Sequence, residues 1–244
     1  MVNAALRAPV VAAPEEFRRF ERKFPVEPAR ADLLAAWLGH ACLQAGAYPV
    51  GRVTSCYFDT PDWDSYFASI DGDHEKRKVR LRWYDALPAT GPVTAFLETK
   101  EKAGFATWKR RAPVTLDASR LRAGQFERAL PRALLDSTLV RLGDFEGGHL
   151  RPAVVISYLR LRFVEPASGI QLALDTHQEA WPAGSVFTGP VASLGPPVLE
   201  IKGPSLALPP RLSALRRWVT VWSSHSKYAT AVESLARVLD PRRL

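Results

Sequence analysis

The chain has 244 residues, of which 47% are hydrophobic, and it carries a formal net charge of +8 at pH 7. This length and composition favour one large domain with a substantial buried core, and the positive charge favours an anionic partner such as nucleic acid, phosphates or an acidic surface. No apolar run approaches the roughly 20 residues that a membrane helix needs, so we expect no integral membrane segment.

The first 14 residues are rich in Ala, Val and Pro, and we predict a disordered lead-in over 1–14 followed by one domain over 15–240. Period-two alternation predicts strands, and apolar residues at helical spacing predict helices. In chain order the predictions are a strand over 17–24, a helix over 27–43, a strand over 53–58, a helical turn over 62–68, a strand that ends at Tyr84, strands over 93–102 and 107–114, helical content over 116–144, strands over 153–163 and 170–175, a looser region over 176–197, a strand over 198–202, and helices over 211–222 and 226–239. Strands dominate and helices are placed to cover them, which predicts an α+β barrel.

The most informative stretch is the Lys-Val-Arg-Leu-Arg-Trp-Tyr run over residues 78–84. Alternate side chains of a strand point to opposite faces. The cations Lys78, Arg80 and Arg82 therefore share one face, and the Val, Leu and Trp between them share the other. Similar charge-bearing alternations recur at 19–23, 98–102, 109–111, 158–162 and 200–202.

Two architectures explain a charged face that recurs in this way. An open sheet covered on its apolar face would leave the cations in solvent. A barrel with an apolar, helix-packed outside would instead enclose a charged lumen. We favour the barrel because the shared face is mostly Arg and Lys with a few Glu, whereas solvent faces usually mix Ser, Thr, Gln and Glu with Lys.

The shared face carries many more cations than carboxylates. The cations are Lys23, Lys78, Arg80, Arg82, Lys100, Lys102, Lys109, Arg111, Arg160, Arg162 and Lys202, and the carboxylates are Glu21, Glu98 and Glu200. Because desolvated like charges repel strongly, such a lumen must be wet and hold anions. Arg and Lys stabilise transferring phosphoryl groups, and a carboxylate such as Glu200 could hold the divalent metal that this chemistry usually needs.

In their order along the chain, these motifs resemble those of the VTC (vacuolar transporter chaperone) polyphosphate-polymerase domain, a triphosphate tunnel metalloenzyme of the CYTH-like superfamily. The matching segments are Glu21-Arg-Lys23-Phe, Ser55-Cys-Tyr57-Phe58-Asp59, Lys78-Val-Arg80-Leu-Arg82-Trp-Tyr84, Leu97-Glu98-Thr-Lys100, Lys109-Arg-Arg, Ser157-Tyr158-Leu-Arg160, Leu174-Asp175, Leu199-Glu200-Ile-Lys202 and Ser226-Lys227-Tyr228. The resemblance implies an eight-stranded antiparallel β-barrel, a triphosphate tunnel with a basic lumen covered by helices. It also implies transfer of the γ-phosphate of ATP to a polyphosphate chain, with Mn²⁺ or Mg²⁺ as the cofactor.

The resemblance further implies a role for each matching residue. The catalytic residues, which would bind triphosphate or polyphosphate oxygens, are Lys23, Arg80, Arg82, Lys100, Lys109, Arg160 and Lys227. The further substrate-binding residues are Lys78, Lys102, Arg111, Tyr158, Arg162, Lys202 and Ser226, and Glu200 would hold the metal. The implied partners are a nucleoside triphosphate and inorganic polyphosphate, while a separate membrane partner is left open and nucleic acid is not expected.

Two positions depart from the pattern of related families. Gln171 stands where eukaryotic members carry an Arg four residues before the aspartate of the Leu-Asp segment, so one phosphate contact is absent. Arg19 stands at the first Glu of the CYTH-type Glu-x-Glu-x-Lys start, which favours the VTC branch over adenylate cyclase or thiamine triphosphatase.

Three functions remain open at this point: a polymerase, a triphosphatase or tripolyphosphatase of the same fold, and a non-catalytic binder of polyanions. Glu200 favours an enzyme, because a pure anion binder has no need of a carboxylate in a basic tunnel. Asp59 is predicted to be a turn residue, and Asp175, which ends a predicted strand, is predicted to have a turn role, with a metal role as the alternative. Trp83 and Trp108 are predicted to pack between barrel and helices rather than to stack on bases.

The two cysteines, Cys42 and Cys56, have neither metal-ligand spacing nor a disulfide framework. We therefore expect a reduced, cytoplasmic setting.

Overall fold

The computed structural model describes residues 20–46, 48–103, 106–143, 149–184, 191–218 and 226–239. The predicted lead-in over 1–14 and the start of the first predicted strand lie outside the described residues. In chain order the elements are β1 (Phe20–Pro25), a 3-10 turn (Pro28–Arg30), α1 (Ala31–Ala41), β2 (Leu43–Gln44), β3 (Val50–Asp59), α2 (Asp64–Ile70), β4 (Glu75–Tyr84), β5 (Pro92–Ala103), β6 (Ala106–Asp117), α3 (Ala118–Arg122), α4 (Phe126–Ala129), α5 (Arg132–Arg141), β7 (Arg151–Val164), β8 (Gln171–Pro182), β9 (Ala192–Ser193), β10 (Val198–Gly203), a 3-10 helix (Pro210–Arg217) and α6 (Lys227–Leu239).

All the described strands belong to one antiparallel sheet. Its strand order is β1-β10-β8-β7-β3-β4-β5-β6, with β2 added beside β7 and β9 beside β8. The predicted α+β class is confirmed, but the predicted closure into an eight-stranded barrel is not. Within the described residues, β1 and β6 end the strand order and no backbone pairing joins them. Period-two patterning assigns side chains to faces, but it carries no information on whether the two end strands pair.

The sheet nevertheless curls strongly. β1 and β5 are six places apart in the strand order, a separation of about 29 Å in a flat sheet with strands about 4.8 Å apart. Yet Glu21 Oε2 on β1 lies 3.6 Å from Lys100 Nζ on β5. The sheet therefore has a concave face, which we call the inner face, and a convex outer face.

Apolar side chains at alternate strand positions cover the outer face. The apolar residues of the 78–84 run, at most 4% exposed, join one core cluster with helices α3, α4 and α5, and these residues are Val79, Leu81 and Trp83. The Trp83 ring lies 6.2 Å from the ring of Phe126 on α4. A second outer cluster joins β8 and β10 to α1 and the 3-10 helix. The outward packing of the apolar half of the alternation is thus confirmed.

Helix α6 packs against the inner face, where it covers part of β3, β7 and β8. Tyr228 stacks on Tyr57 of β3 with ring centroids 5.0 Å apart and planes at 19°. The Tyr228 hydroxyl donates a hydrogen bond to Asp59, a fully buried carboxylate at the end of β3. Asp59 also accepts from the backbone N–H groups of Ser65 and Tyr66 in α2. The predicted turn role of Asp59 is confirmed, and the same carboxylate attaches α6 to the sheet.

Replacing Tyr228 by Phe removes this hydroxyl while keeping the ring. We expect the free energy of unfolding to fall by about 2 kcal/mol, because the lost hydrogen bond goes to a buried carboxylate. Urea denaturation followed by circular dichroism measures the change. Tyr48→Phe, at a side chain 70% exposed, is the matched control and should be neutral. Equal stability of Tyr228→Phe and the parent would show that Asp59 does not hold α6.

Most predicted elements are present, and the differences have local causes. The region over 176–197 was predicted to be loose, but β8 continues to Pro182. The period-two alternation of apolar and polar residues is interrupted in this part of β8. The pairing with β7 is irregular after Ser157, and His177 has a positive φ of 49°. The predicted helix over 211–222 is a 3-10 helix in its described part, where it follows Pro209 and begins with Pro210.

The described part of the chain holds no helix that is both long and apolar enough to cross a bilayer.

Candidate functional site

The cations of β4, β5 and β6 lie in rows across the inner face because of the strand register. Lys78 is opposite Lys100, which is opposite Lys109, and we call these three residues the lysine row. A second row lies two residues further along these strands. It consists of four residues that are opposite one another in the sheet, and we call it the arginine row: Tyr57, Arg80, Glu98 and Arg111. Neighbouring rows are two residues apart, which is about 7 Å along a strand.

Glu98 is the centre of the arginine row. Its side chain is only 2% exposed, and its Oε2 atom accepts from Arg80 Nε at 2.8 Å and Arg80 Nη2 at 2.6 Å. Arg82 and Lys109 also lie 3.6 Å from its carboxylate oxygens. Burial raises the pKa of Glu98, but the charges of Arg80, Arg82 and Lys109 outweigh it and lower the pKa to about 2. Glu98 is therefore ionised and holds three cations in place.

Tyr57 also points at this cluster. Its hydroxyl accepts a hydrogen bond from Arg80 Nη1 at 2.9 Å. Burial raises the pKa of the phenol, but the nearby charges of Arg80, Arg82 and Lys78 lower it to about 8. An excess of positive charge therefore surrounds Tyr57.

A second cluster lies on β7, β8 and β10, at the start of α6. Arg160 donates two hydrogen bonds to Asp175, at 2.6 and 2.7 Å, and a third to Glu200 at 2.9 Å. Lys227, at the start of α6, lies 2.7 Å from Asp175 and 3.4 Å from Glu200. Both carboxylates are buried. Tyr158 packs beside the two cations, with its ring centroid 5.1 Å from the guanidinium carbon of Arg160 and 5.0 Å from Lys227 Nζ.

Opposing effects act on the titration of this second cluster. Burial raises the pKa of Glu200, but Arg160, Lys227 and then Lys202 hold it well below its ordinary value. Burial lowers the pKa of Lys227, but Asp175 and Glu200 raise it above the usual lysine value. Glu200 and Lys227 are therefore both charged at neutral pH.

Glu21 of β1 connects the two ends of the sheet. Its carboxylate lies 3.6 Å from Lys202 and from Lys100, and 3.9 Å from Lys23. Lys202 also contacts Glu200 at 3.5 Å. The lysine row and the second cluster therefore face one another across the concave surface.

Comparison with known proteins decides which family this site belongs to. The family model described as "VTC domain" matches residues 18–236, which is most of the chain. The chain belongs to the VTC domain family. This family is linked to phosphate or nucleotide substrates. No curated protein is similar enough in sequence to count as a relative.

Solved structures similar to this VTC domain are distant in sequence. A proposed adenylate cyclase from Bacillus halodurans is 14% identical with a TM-score of 0.46, and the match covers 91% of this chain and 89% of that chain. A proposed adenylate cyclase from Vibrio parahaemolyticus is also 14% identical, with a TM-score of 0.38 and coverage of 93% and 88%. The PH1012 protein from Pyrococcus horikoshii is 12% identical, with a TM-score of 0.37 and coverage of 82% and 88%. The family assignment does not depend on these similarities.

Most of the predicted site residues of this VTC domain meet on the inner face. They are Lys23, Lys78, Arg80, Arg82, Lys100, Lys109, Tyr158, Arg160, Glu200, Lys202 and Lys227, and Ser226 joins them by accepting a hydrogen bond from Lys78 Nζ at 2.8 Å. Two predicted residues lie at the margin, since Lys102 is at the exposed end of β5 and Arg162 donates to the Tyr48 carbonyl at 2.8 Å. Arg111 belongs to the arginine row, and its guanidinium carbon lies 4.9 Å from the centroid of the Phe96 ring.

The sequence alone assigned no site role to Glu98 or Tyr57 and gave Asp175 a metal role only as the alternative to a turn role, although all three contact predicted residues. Asp175 was predicted to be a turn residue, and this is wrong because β8 continues seven residues beyond it. The missing information was the register, which places Asp175 opposite Arg160. Glu98 lay on the predicted charged face, but its position between two arginines and a lysine becomes visible only in the fold.

We expect this VTC domain to bind polyanions more weakly as pH rises from 7 to 9. Burial lowers the pKa of Lys78 to about 8. The Lys109 side chain is half exposed, and partial burial together with the charges of Arg80 and Arg82 lowers its pKa to about 8 as well. Both are charged below that pH and lose their charge above it, while Tyr57 becomes negative in the same range. The loss of one charge-assisted contact weakens binding about tenfold. Calorimetric titration with tripolyphosphate at several pH values between 7 and 9 measures this loss of affinity.

The matched control is the double variant Lys78→Arg with Lys109→Arg, whose side chains stay charged. Any titration of tripolyphosphate itself is shared by both proteins, so the difference between their pH profiles isolates the lysines. Identical profiles for the parent and the double variant would contradict the prediction.

Proposed function

We propose that the chain is a polyphosphate polymerase-type phosphotransferase that moves the γ-phosphate of ATP to a polyphosphate chain bound at the inner face. The observation that carries this proposal is the charge imbalance of the inner face. Among the described residues, the two clusters and the lysine row bring together nine cations (Lys23, Lys78, Arg80, Arg82, Lys100, Lys109, Arg160, Lys202 and Lys227) and four carboxylates (Glu21, Glu98, Asp175 and Glu200), an excess of five positive charges. An extended polyanion supplies the negative charge that this excess requires.

The arrangement of the cations suits phosphoryl transfer, in which a protein contributes mainly positioning and electrostatic stabilisation. Glu98 fixes the guanidinium of Arg80, and Asp175 fixes that of Arg160 through two parallel hydrogen bonds. Guanidinium groups held in this way are preorganised to meet phosphate oxygens. The lysine row is more exposed, with Lys100 and Lys109 side chains 45% and 50% accessible, so it can hold a chain that continues to solvent.

The second cluster fits a divalent metal bound together with phosphates. The described residues contain no group of three or more His, Cys, Asp or Glu side chains arranged for a metal ion. Mg²⁺, however, is usually held by one or two carboxylates plus substrate phosphates, and Glu200 and Asp175 are two buried hard-oxygen donors that share Arg160 and Lys227 as partners. When bound there, Mn²⁺ or Mg²⁺ would neutralise charge on the transferring phosphoryl group.

In the proposed site the protein residues would divide the work. Arg160 and Lys227 would keep the Glu200 carboxylate ionised and would orient both Glu200 and Asp175. Arg80 and Arg82 would bind the oxygens of the phosphoryl group that moves, and the lysine row would hold the rest of the chain. The full tunnel implied by the family would require β1 and β6 to come together around this ligand.

The acceptor decides between the polymerase and the triphosphatase, because water and a terminal phosphate can attack the same bound triphosphate. The test is purified protein with ATP and Mn²⁺, followed for released phosphate and for long-chain polyphosphate by gel electrophoresis. Long-chain product supports the proposal. Phosphate release without long chains would make the protein a triphosphatase or tripolyphosphatase. No turnover with any nucleotide or metal would leave a polyanion binder. The cytoplasmic setting stays a prediction.

A further inference from the structure

The inner face changes from charged to uncharged along β4, β5 and β6. On the side of the arginine row away from the lysine row, the next two rows contain Arg82 and otherwise uncharged inner residues of these strands: Phe96, Pro113, Tyr84, Thr94 and Thr115. Arg82 Nη1 reaches back to 3.6 Å from Glu98, so its charge lies beside the arginine row. The uncharged part of the inner face therefore begins one row, or about 7 Å, from Arg80.

Two aromatic rings form the centre of this uncharged part. Phe96 and Tyr84 are both half-buried, with ring centroids 6.1 Å apart and planes at 66°. The exposed side chain of Arg111 places its guanidinium carbon 4.9 Å from the centroid of the Phe96 ring. In the described part of the chain, Arg111 makes no hydrogen bond and no ion pair. Nucleobases stack on aromatic rings and on guanidinium planes, so these three side chains together suit a flat ring.

The charged residues that border this end of the inner face offset one another. They are Arg162 of β7 and Asp85, the residue after β4. A Cβ atom at Gly51 of β3 would lie 3.1 Å from Asp85 Oδ1 and 3.8 Å from Arg162 Nη1, so the two side chains come together above Gly51. Their opposite charges leave this end close to neutral, and the Asp85 carboxylate can accept hydrogen bonds from uncharged hydroxyl groups.

The two directions away from the arginine row therefore suit different parts of a ligand. One direction leads to the lysine row and on to Lys76 and Lys102, which are opposite one another. The other leads to Phe96 and Tyr84. An inorganic phosphate chain is charged along its whole length and matches only the first direction. A nucleoside triphosphate is charged at one end and carries an uncharged sugar and base at the other, so it matches both.

We propose that a nucleoside triphosphate binds the inner face in one direction, with its base on Phe96, Tyr84 and Arg111 and its γ-phosphate towards the lysine row. This inference rests on the proposed function, because it assumes that the rows of cations bind the phosphates. It adds the orientation of the substrate. It also adds a preference for a nucleoside triphosphate over inorganic tripolyphosphate.

Trp108 provides a matched control on the opposite face of the sheet. It was predicted to pack between barrel and helices, but it is 38% exposed. It is opposite Glu101, which is opposite Arg77, and these residues alternate with the inner residues Lys109, Lys100 and Lys78. Trp108 is thus an aromatic residue on the same strand as Arg111 that cannot contact a ligand on the inner face.

The first test compares ATP with inorganic tripolyphosphate by calorimetry in the absence of metal. We expect Phe96→Leu to weaken ATP binding about tenfold, the scale of one lost stacking contact, and to leave tripolyphosphate binding unchanged. Phe96→Tyr keeps an aromatic ring and should retain most of the ATP affinity. Trp108→Leu should change neither ligand.

Arg111→Lys is a second variant, at an exposed side chain whose replacement does not disturb the core. It keeps the charge and removes the planar guanidinium, so ATP binding should weaken more than tripolyphosphate binding. Equal weakening of the two ligands in both variants, or undiminished ATP affinity in Phe96→Leu, would overturn the inference.

Photolabelling with 8-azido-ATP tests the orientation itself. Trypsin releases residues 83–100 as one peptide, which contains Tyr84 and Phe96, and residues 103–109 as another, which contains Trp108. We expect the label on the 83–100 peptide and its loss when excess ATP competes. Label on the 103–109 peptide instead would overturn the inference. The two proposals fail separately: ATP selectivity that depends on Phe96 without turnover would count against only the polymerase, while polymerisation with the label elsewhere would count against only this orientation.

Discussion

Replacing Glu200 by Gln is expected to lower Mn²⁺-dependent turnover of ATP by about a hundredfold or more, while metal-free tripolyphosphate binding stays intact or improves. The Glu200 side chain is only 7% exposed and lies within reach of Arg160, Lys202 and Lys227. Gln is nearly the same size and keeps an oxygen that can accept from Arg160, but it lacks the charge that a hard divalent cation requires. The expected loss is on the scale of one removed preorganised electrostatic contact.

The measurement is paired, with calorimetric binding of tripolyphosphate in the absence of metal and ATP turnover with Mn²⁺. Glu21→Gln is the matched control, because Glu21 also contacts Lys202 on the inner face but is 30% exposed. If both variants lose turnover equally, general charge balance rather than metal binding explains the result. If Glu200→Gln turns over ATP as fast as the parent, Glu200 has no part in the reaction.

The second large effect is expected from Arg160→Leu, which should lower the free energy of unfolding by about 3–5 kcal/mol at pH 7. The Arg160 side chain is 13% exposed and is the shared partner of Asp175 and Glu200. Its removal leaves two buried carboxylates that have lost their main partner. Urea denaturation of parent and variant gives the difference directly.

The pH dependence of this difference has a definite sign. Burial raises the pKa of Glu200, but Arg160 and its neighbours hold it below the ordinary value of 4.5 in the folded protein. Its stabilising contribution is thus present above that value and is lost as pH falls. The gap between parent and Arg160→Leu should therefore be widest near neutral pH and should narrow below about pH 4.5.

Lys202→Met serves as the control for Arg160→Leu. Lys202 lies on the same face and also contacts Glu200, but its side chain is 36% exposed, so the expected change is at most about 1 kcal/mol. If adding Asp175→Asn to Arg160→Leu restores stability, the loss in free energy of unfolding comes from the buried carboxylates that Arg160 no longer contacts. A gap that does not vary with pH would point instead to lost packing.

The faces of the strands could be predicted from the sequence because side-chain direction alternates at every residue. The run over 78–84 predicted both the cations of the inner face and the packing of Val79, Leu81 and Trp83 under helices, and both features are present. The same rule gave the correct faces for Arg160 on β7 and for Glu200 and Lys202 on β10. The cationic residues of the site could therefore be predicted from the sequence without knowledge of the fold.

The acidic partners of these cations could not be predicted from the sequence in the same way. Asp175 and Arg160 are 15 residues apart in sequence and meet only because β7 and β8 pair in one register. A strand read alone gives no register with its neighbour. For the same reason the sequence could not decide whether the sheet closes into a barrel, since any pairing of β1 with β6 depends on the curvature of the whole sheet. Trp108 looked equivalent to Trp83, yet only one of them lies beneath a helix.

The contact between Glu21 and Lys100 has a mechanical consequence for the protein. Elsewhere neighbouring described strands are joined by ladders of backbone hydrogen bonds, whereas β1 and β5 meet here through side chains that are 30% and 45% exposed. An ion pair this accessible contributes at most about 1 kcal/mol. Separating β1 from β5 therefore costs much less free energy than breaking a ladder of backbone hydrogen bonds between two neighbouring strands. The line between β1 and β5 is therefore where opening of the concave face would cost the least free energy.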